Sequence, residues 1–147
     1  MIDEFFKSFI DWANNDPNID SILLVGSYAR KQAKKNSDID LVVLCIDPNL
    51  LIDNQKWIEK FGIVNSSQME DWGAVQSFRT SYKDFKEVEF GITSTNWADI
   101  PIDNGTREVI INGAKILLDK SELLKKLSAK CGIPIYIWTA TAESFFL

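Results

Sequence analysis

Asp38 and Asp40 stand one residue apart at the head of an apolar run, Leu41-Val42-Val43-Leu44-Cys45. On a strand, residues i and i+2 point to the same side. Both carboxylates therefore project together, while Ile39 and Leu41 turn the other way, into a core. Two carboxylates held close repel each other unless a cation lies between them. Mg²⁺ suits that place, because it prefers oxygen ligands and commonly takes one or two carboxylates plus substrate phosphates. Upstream, the run Ser21-Ile22-Leu23-Leu24-Val25 ends at Gly26-Ser27. A glycine after a strand lets backbone approach a ligand closely, and the first amides of a following helix welcome an anion. Ser27 adds a hydroxyl donor, and Arg30, Lys31, Lys34 and Lys35 add positive charge. A phosphate-receiving turn followed by an acid pair is equipment for a metal-bound nucleoside triphosphate. Gly-Ser turns also simply begin helices, and an isolated Asp-x-Asp is explained by Asp38 capping a turn with Asp40 solvated at a strand end. The two motifs at this spacing favour the triphosphate.

The surrounding elements must hold these groups. Ile2, Phe5, Phe6, Phe9, Ile10 and Ala13 fit one helical face, and Asn14 to Asn18, with Pro17, ends that helix. The two motif strands follow, and a short helix is expected over residues 28–35. Pro48 breaks the second strand, and residues 50–61 suit a helix with Trp57, Ile58 and Phe61 inward and Gly62 as its stop. Residues 75–81 and 87–93 alternate as a hairpin across residues 82–86. Residues 106–112 suit a short helix, residues 114–118 a further strand or helix end, and Ser121 can cap a helix carrying Leu123, Leu124 and Leu127.

With these residues in place, the chain resembles the polymerase-β-like nucleotidyltransferase superfamily. The shared pattern is an apolar strand, Gly-Ser, a short helix, then Asp-x-Asp on the next strand, here Leu-Val-Gly-Ser-Tyr-Ala-Arg-Lys and Ser-Asp-Ile-Asp-Leu. The match is strong over residues 20–45. Weaker similarity to small bacterial adenylyltransferase-like domains extends to about residue 125, through Glu-Val-Glu-Phe-Gly and Gly-Thr-Arg-Glu-Val-Ile. One departure is Lys31, where many relatives carry glycine; on a helix it would matter little.

The resemblance implies an α/β (α+β) fold with a small, twisted, mixed sheet and helices mainly on one face. It implies AMP transfer from ATP, with two Mg²⁺ ions, to a hydroxyl. Gly26, Ser27, Arg30 and Lys31 would bind nucleotide, and Asp38 and Asp40 would bind metal. It also implies a third carboxylate from a neighbouring strand, as metal ligand or general base. In Lys86-Glu87-Val88-Glu89-Phe90-Gly91-Ile92, alternation sets Glu87, Glu89 and Gly91 on one side. Glu89 lies within the apolar run and is the better candidate; Glu87, nearer the turn, is the spare.

The length, 147 residues, suits one domain with a proper core: motif core over 20–93, C-terminal helix and apolar tail over 106–147. The net charge of −5 lacks the basic excess that holding long nucleic acid demands; a cationic small acceptor, or a basic patch on a protein, fits better. There is no histidine and no Cys-x-x-Cys, which excludes a histidine-based hydrolase and a zinc site. Cys45 and Cys131 are expected reduced. No apolar run spans a bilayer, and Asp3 and Glu4 sit where a signal peptide would be basic, so a cytoplasmic protein is expected.

The candidate acceptors are an aminoglycoside-like small molecule and a partner toxin modified by an antitoxin-type transferase. A catalytically silent nucleotide-binding domain is a third reading. Glu70-Asp71-Trp72-Gly73 would form a solvated turn or line an acceptor pocket, and Arg79 would pair with Glu87 or Glu89 across the hairpin. The apolar tail, 132–138 and 145–147, would pack on the core or form an interface; a homodimer is one expectation.

Overall fold

The computed structural model describes residues 2–34, 36–99 and 101–139. Seven strands form one mixed sheet: β1 (Ile19–Val25), β2 (Ile39–Cys45), β3 (Val64–Asp71), β4 (Gln76–Tyr82), β5 (Glu87–Ser94), β6 (Ala114–Asp119) and β7 (Tyr136–Ile137). Their spatial order is β3-β4-β5-β2-β1-β6-β7. The β2–β5 and β6–β7 neighbours are parallel; the other pairs are antiparallel. The mixed α+β sheet expected from the sequence is present.

One face is built on aromatic rings. The apolar stripe of α1 (Ile2–Asn14) buries Phe5, Phe6, Phe9 and Ala13 against Ile39, Leu41 and Val43 of β2 and Val88, Phe90 and Ile92 of β5. Phe9 meets Phe61 with ring centroids 5.2 Å apart, and Trp57 meets Phe90 edge-on at 5.0 Å. Edge contacts of this kind add to the area term of burial. The Trp57 indole donates to the carbonyl of Leu51 at 2.9 Å, and the Tyr82 hydroxyl to that of Ile58 at 2.7 Å, so neither buried polar group is left unpaired. Cys45 is buried on this face as a free thiol, which burial pushes up to about 12.

The opposite face divides along its length. At one end Leu23, Val42, Leu44 and Ile116 are covered by Ile110 of α3 (Asn104–Ile111) and by Leu124 and Leu127 of α4 (Leu123–Cys131). At the other end the strands carry polar groups: Gln68 and Glu70 on β3, Ser77 and Arg79 on β4, Glu87 and Glu89 on β5, Asp40 on β2. The longest helix thus lies on one face, and α3 and α4 on part of the other.

Several elements depart from expectation. The helix expected over 50–61 is a single turn, α2 (Asn49–Ile52), and a separate 3₁₀ segment, Lys56–Phe61, parted by Asp53-Asn54-Gln55; the poor helix formers Asp53 and Asn54 disfavour continuation. Strand β3 was not foreseen, because its residues are mostly exposed and polar and no apolar alternation marks it. Ser121 does not cap α4. Its hydroxyl donates to Asp20 at 3.0 Å, and the carboxylate of Asp119 accepts from the amides of Leu124 and Lys125, each at 3.0 Å. Residues 145–147 of the tail lie outside the described residues; Trp138 packs edge-on against Phe6 at 5.0 Å.

Candidate active site

The parallel ladder between β2 and β5 sets Asp40 beside Glu89 and Ile39 beside Val88. Asp38, just ahead of β2, comes within hydrogen-bond reach of the Glu87 carboxylate. The four acids therefore sit in two pairs on the polar end of one sheet face. Their electrostatics record the crowding. Loss of water, then the facing charge and hydrogen bond of Glu89, push Asp40 up to about 7, and Asp38 adds to the effect. Glu87 is raised too, first by loss of water and next by the charge of Asp38.

Glu89 is held from the far side by β4. The Ser77 hydroxyl donates to its Oε1 at 2.8 Å, and an Arg79 guanidinium nitrogen stands 3.8 Å from Oε2. Arg79 in turn donates from Nε to Oε1 of Glu70 at 2.8 Å. The expected ion pair of Arg79 exists, but its closest partner is Glu70 on β3, a strand the sequence reading missed. At the hairpin tip, the Asp71 carboxylate accepts from the Gly73 amide at 2.8 Å, and Trp72 is 63% exposed. Trp72 anchors nothing in the core.

On the other side of Asp40 lies Val25, its cross-strand partner on β1, and then the Gly26-Ser27 turn. Gly26 has φ +76°, and a Cβ built there would collide with Oδ2 of Asp40. Glycine is required twice over: by its torsion and by the carboxylate that occupies the space. The helix expected over 28–35 is absent. The Gly26 carbonyl accepts from the amides of Ala29 (3.1 Å) and Arg30 (3.2 Å), and the Ser27 carbonyl from Gln32 at 2.9 Å. These bonds close a tight coil, which ends because Lys31 takes φ +57°. A lysine in the left-handed region costs about 1–2 kcal/mol. The departure at Lys31 therefore matters more than a helical position would: the chain adopts there the torsion that a glycine takes freely.

Arg30 and Lys31 part company. The Arg30 guanidinium reaches the Asn112 carbonyl at the end of α3. Lys31 lines a cavity of about 380 Å³ with Ile2, Phe6, Tyr28, Lys86 and Trp138, on the side of the sheet that α1 covers. None of the four catalytic-candidate acids lines that cavity.

Whether these residues fit a magnesium ion can be tested on the donors themselves. Among the described residues, no three acidic side chains are gathered into a ready cage. The donor set is nevertheless all carboxylate oxygen, and the pair Asp40–Glu89 faces inward with its mutual repulsion only partly offset by Arg79. Mg²⁺ typically takes one or two carboxylates and completes its shell with phosphates and water. The set fits an ion that arrives with a nucleotide, not one caged by protein alone.

The sequence model of the streptomycin adenylyltransferase family matches residues 1–145. The chain belongs to that family. Among solved structures, an aminoglycoside 6-adenyltransferase from Bacillus subtilis aligns with a TM-score of 0.57 and 19% sequence identity. The alignment covers 78% of this chain and 40% of that one, so the chain spans well under half of that relative's length. No curated protein sequence matches the chain. For this family member, sequence reasoning missed Ser77, and it set Glu70 in a turn or an acceptor pocket where the structure has it on β3, paired with Arg79. A serine two residues from Arg79 on a half-buried strand was the available signal for Ser77; the pairing of Glu70 with Arg79 carried none.

Proposed function

We propose that the chain transfers AMP from ATP to a hydroxyl of an aminoglycoside-like acceptor. One observation carries the reading: Asp40 and Glu89, adjacent on parallel strands, face a turn whose glycine has no room for a side chain because Asp40 fills it. The family and the fold of its structural neighbour support the same chemistry.

Each residue then has a role. The amides and hydroxyl of Gly26 and Ser27 bind the β- and γ-phosphates, with Arg30 supplying positive charge beside the turn. Asp38 and Asp40 would hold magnesium, which commonly takes one or two carboxylates, and Glu89 would complete the site as the base. When bound, that ion neutralises phosphate charge and aligns the attacking and leaving oxygens. Glu89 receives the proton of the acceptor hydroxyl, whose oxygen bonds to the α-phosphorus as the bond to the β-phosphate oxygen breaks and pyrophosphate leaves. A base for this step must lie within hydrogen-bond reach of the hydroxyl; the bond from Ser77 fixes one oxygen of Glu89, and the other stands 3.8 Å from the Arg79 guanidinium. Lys31, which lines the cavity on the α1 side, drops out of the nucleotide set. Glu70 and Asp71 supply negative charge near the site that suits a polycationic acceptor. We take residues 1–147 as one nucleotidyltransferase unit.

The test is incubation of the chain with ATP labelled at the α-phosphate, Mg²⁺ and streptomycin, followed by separation of the products. Label on the aminoglycoside is the expected result. Label on a protein of a cell extract, with none on any aminoglycoside, would move the acceptor to a partner protein. No labelled product at all would refute transfer.

A further inference from the structure

The end of β1 and the start of β6 lie side by side, because Val25 pairs with Ala114. Just beyond that pair each strand meets a glycine of positive φ, Gly26 at +76° and Gly113 at +114°. Gly26 leaves room for Asp40. Gly113 leaves room for Arg30: a Cβ at 113 would stand 2.6 Å from the Arg30 Cγ and 3.6 Å from its Cδ. The arginine stem lies flat across the glycine. Its backbone amide belongs to the Gly26 turn, donating to the Gly26 carbonyl at 3.2 Å. Its guanidinium ends at the C-terminus of α3, donating to the Asn112 carbonyl at 3.4 Å, while Nε donates to Oε1 of Gln32 at 3.2 Å. Contacts of 3.2–3.4 Å are long for charged donors, and the side chain is exposed. The guanidinium is thus placed beside the turn by its packing more than by its hydrogen bonds. A phosphate, which guanidinium grips in a fork, offers it a stronger partner than a carbonyl.

We infer that Gly113 is a positioning residue for the nucleotide. It seats Arg30 beside the Gly26-Ser27 turn, from where the guanidinium exchanges the Asn112 carbonyl for a phosphate of the bound triphosphate. The inference rests on the nucleotide-transfer reading above. A side chain at 113 would occupy the volume of the arginine stem and lift the guanidinium off the end of α3.

The experiment measures KM for ATP and kcat, together with ATP affinity by calorimetry in the presence of Mg²⁺, in the full chain. Arg30→Ala is expected to weaken ATP binding roughly tenfold, the scale of one charged hydrogen bond. Gly113→Ala is expected to raise KM for ATP several-fold, and to do so more than it lowers kcat. The decisive comparison is the double variant: with Arg30 already alanine, Gly113→Ala should add nothing further. Should Gly113→Ala not fold, adding Arg30→Ala removes the stem that the new carbon meets and is expected to restore folding, with the ATP affinity of Arg30→Ala alone. Unchanged KM in the position-113 variant overturns the inference, as does a double variant that stays unfolded where Gly113→Ala does not fold, and as do penalties that multiply in the double variant. A wild-type chain that binds ATP while Arg30→Ala binds it equally well overturns this inference alone. A wild-type chain that binds no nucleotide overturns the nucleotide reading with it.

Discussion

Asp40→Asn should stabilise the metal-free protein at neutral pH while abolishing transfer. In the folded chain Asp40 is pushed from 3.8 up to about 7, by burial first and by Glu89 second. The folded state therefore holds this proton more tightly than the unfolded state does. The sign follows: the associated stability is fully present below about pH 4 and is lost as pH rises through about 7. The displacement corresponds to on the order of 4 kcal/mol. Asparagine keeps the shape and can still donate to Glu89, but it has no charge to form. With divalent ions chelated, urea unfolding of the two proteins should coincide near pH 4 and separate progressively, with the variant ahead by about 2–4 kcal/mol at pH 8. Adding Mg²⁺ with ATP should then stabilise the wild type more than the variant and narrow the gap. A stability difference that stays flat from pH 4 to 8, or a variant less stable at pH 8, would refute the burial and repulsion assigned to Asp40.

Other outcomes follow from the same geometry. Gly26→Ala should destabilise the fold by several kcal/mol on the scale of a steric and torsional clash, because the added carbon meets the Asp40 carboxylate; an unchanged melting temperature would contradict that contact. Lys31→Gly should raise stability by about 0.5–1 kcal/mol, the relief of a left-handed lysine less the added freedom of glycine in the unfolded chain, and a lowered melting temperature would count against it. Ser77→Ala and Arg79→Met should each lower kcat about tenfold with little change in KM for ATP, since both hold Glu89 and neither is placed on the nucleotide. Glu89→Gln should abolish transfer, and a fully active variant would pass its role to Glu87.

How much of this was legible in the sequence depended on whether a feature is local. The strand–Gly-Ser–strand unit could be read because its apolar runs are continuous and its acids lie in one short segment. The alternation around Glu89 showed which side it shares with Glu87, and β5 places both there. The turn after Ser27 was misread as a helix, since nothing in Tyr-Ala-Arg-Lys announces that Lys31 will take a left-handed torsion. Strand β3 was invisible because an exposed edge strand needs no apolar face. The Glu70 partner of Arg79 was lost with it, as a pairing across strands cannot be read before both strands are known. Gly113 showed no signal either: its neighbour Arg30 is distant in sequence and meets it only through the β1–β6 register.

The acid pair is itself a product of register. Asp40 and Glu89 come from strands that are not consecutive in the chain, joined in parallel with β3 and β4 set outside as a hairpin. Strand side chains alternate, so slipping β5 by one residue would send Glu87 and Glu89 under α1 and turn Val88, Phe90 and Ile92 outward. Those three residues are fully or almost fully buried, against Ile39, Leu41 and Val43 on the same face. Losing their burial would cost roughly 1.5–3 kcal/mol for each side chain, and burying two carboxylates in an aromatic core would cost more. The aromatic core beneath the sheet therefore enforces the alignment of charges above it. The repulsion of Asp40 and Glu89, on the order of the 4 kcal/mol worked out above for Asp40, is too small to shift that register, and the fold keeps the acids together even though doing so is unfavourable.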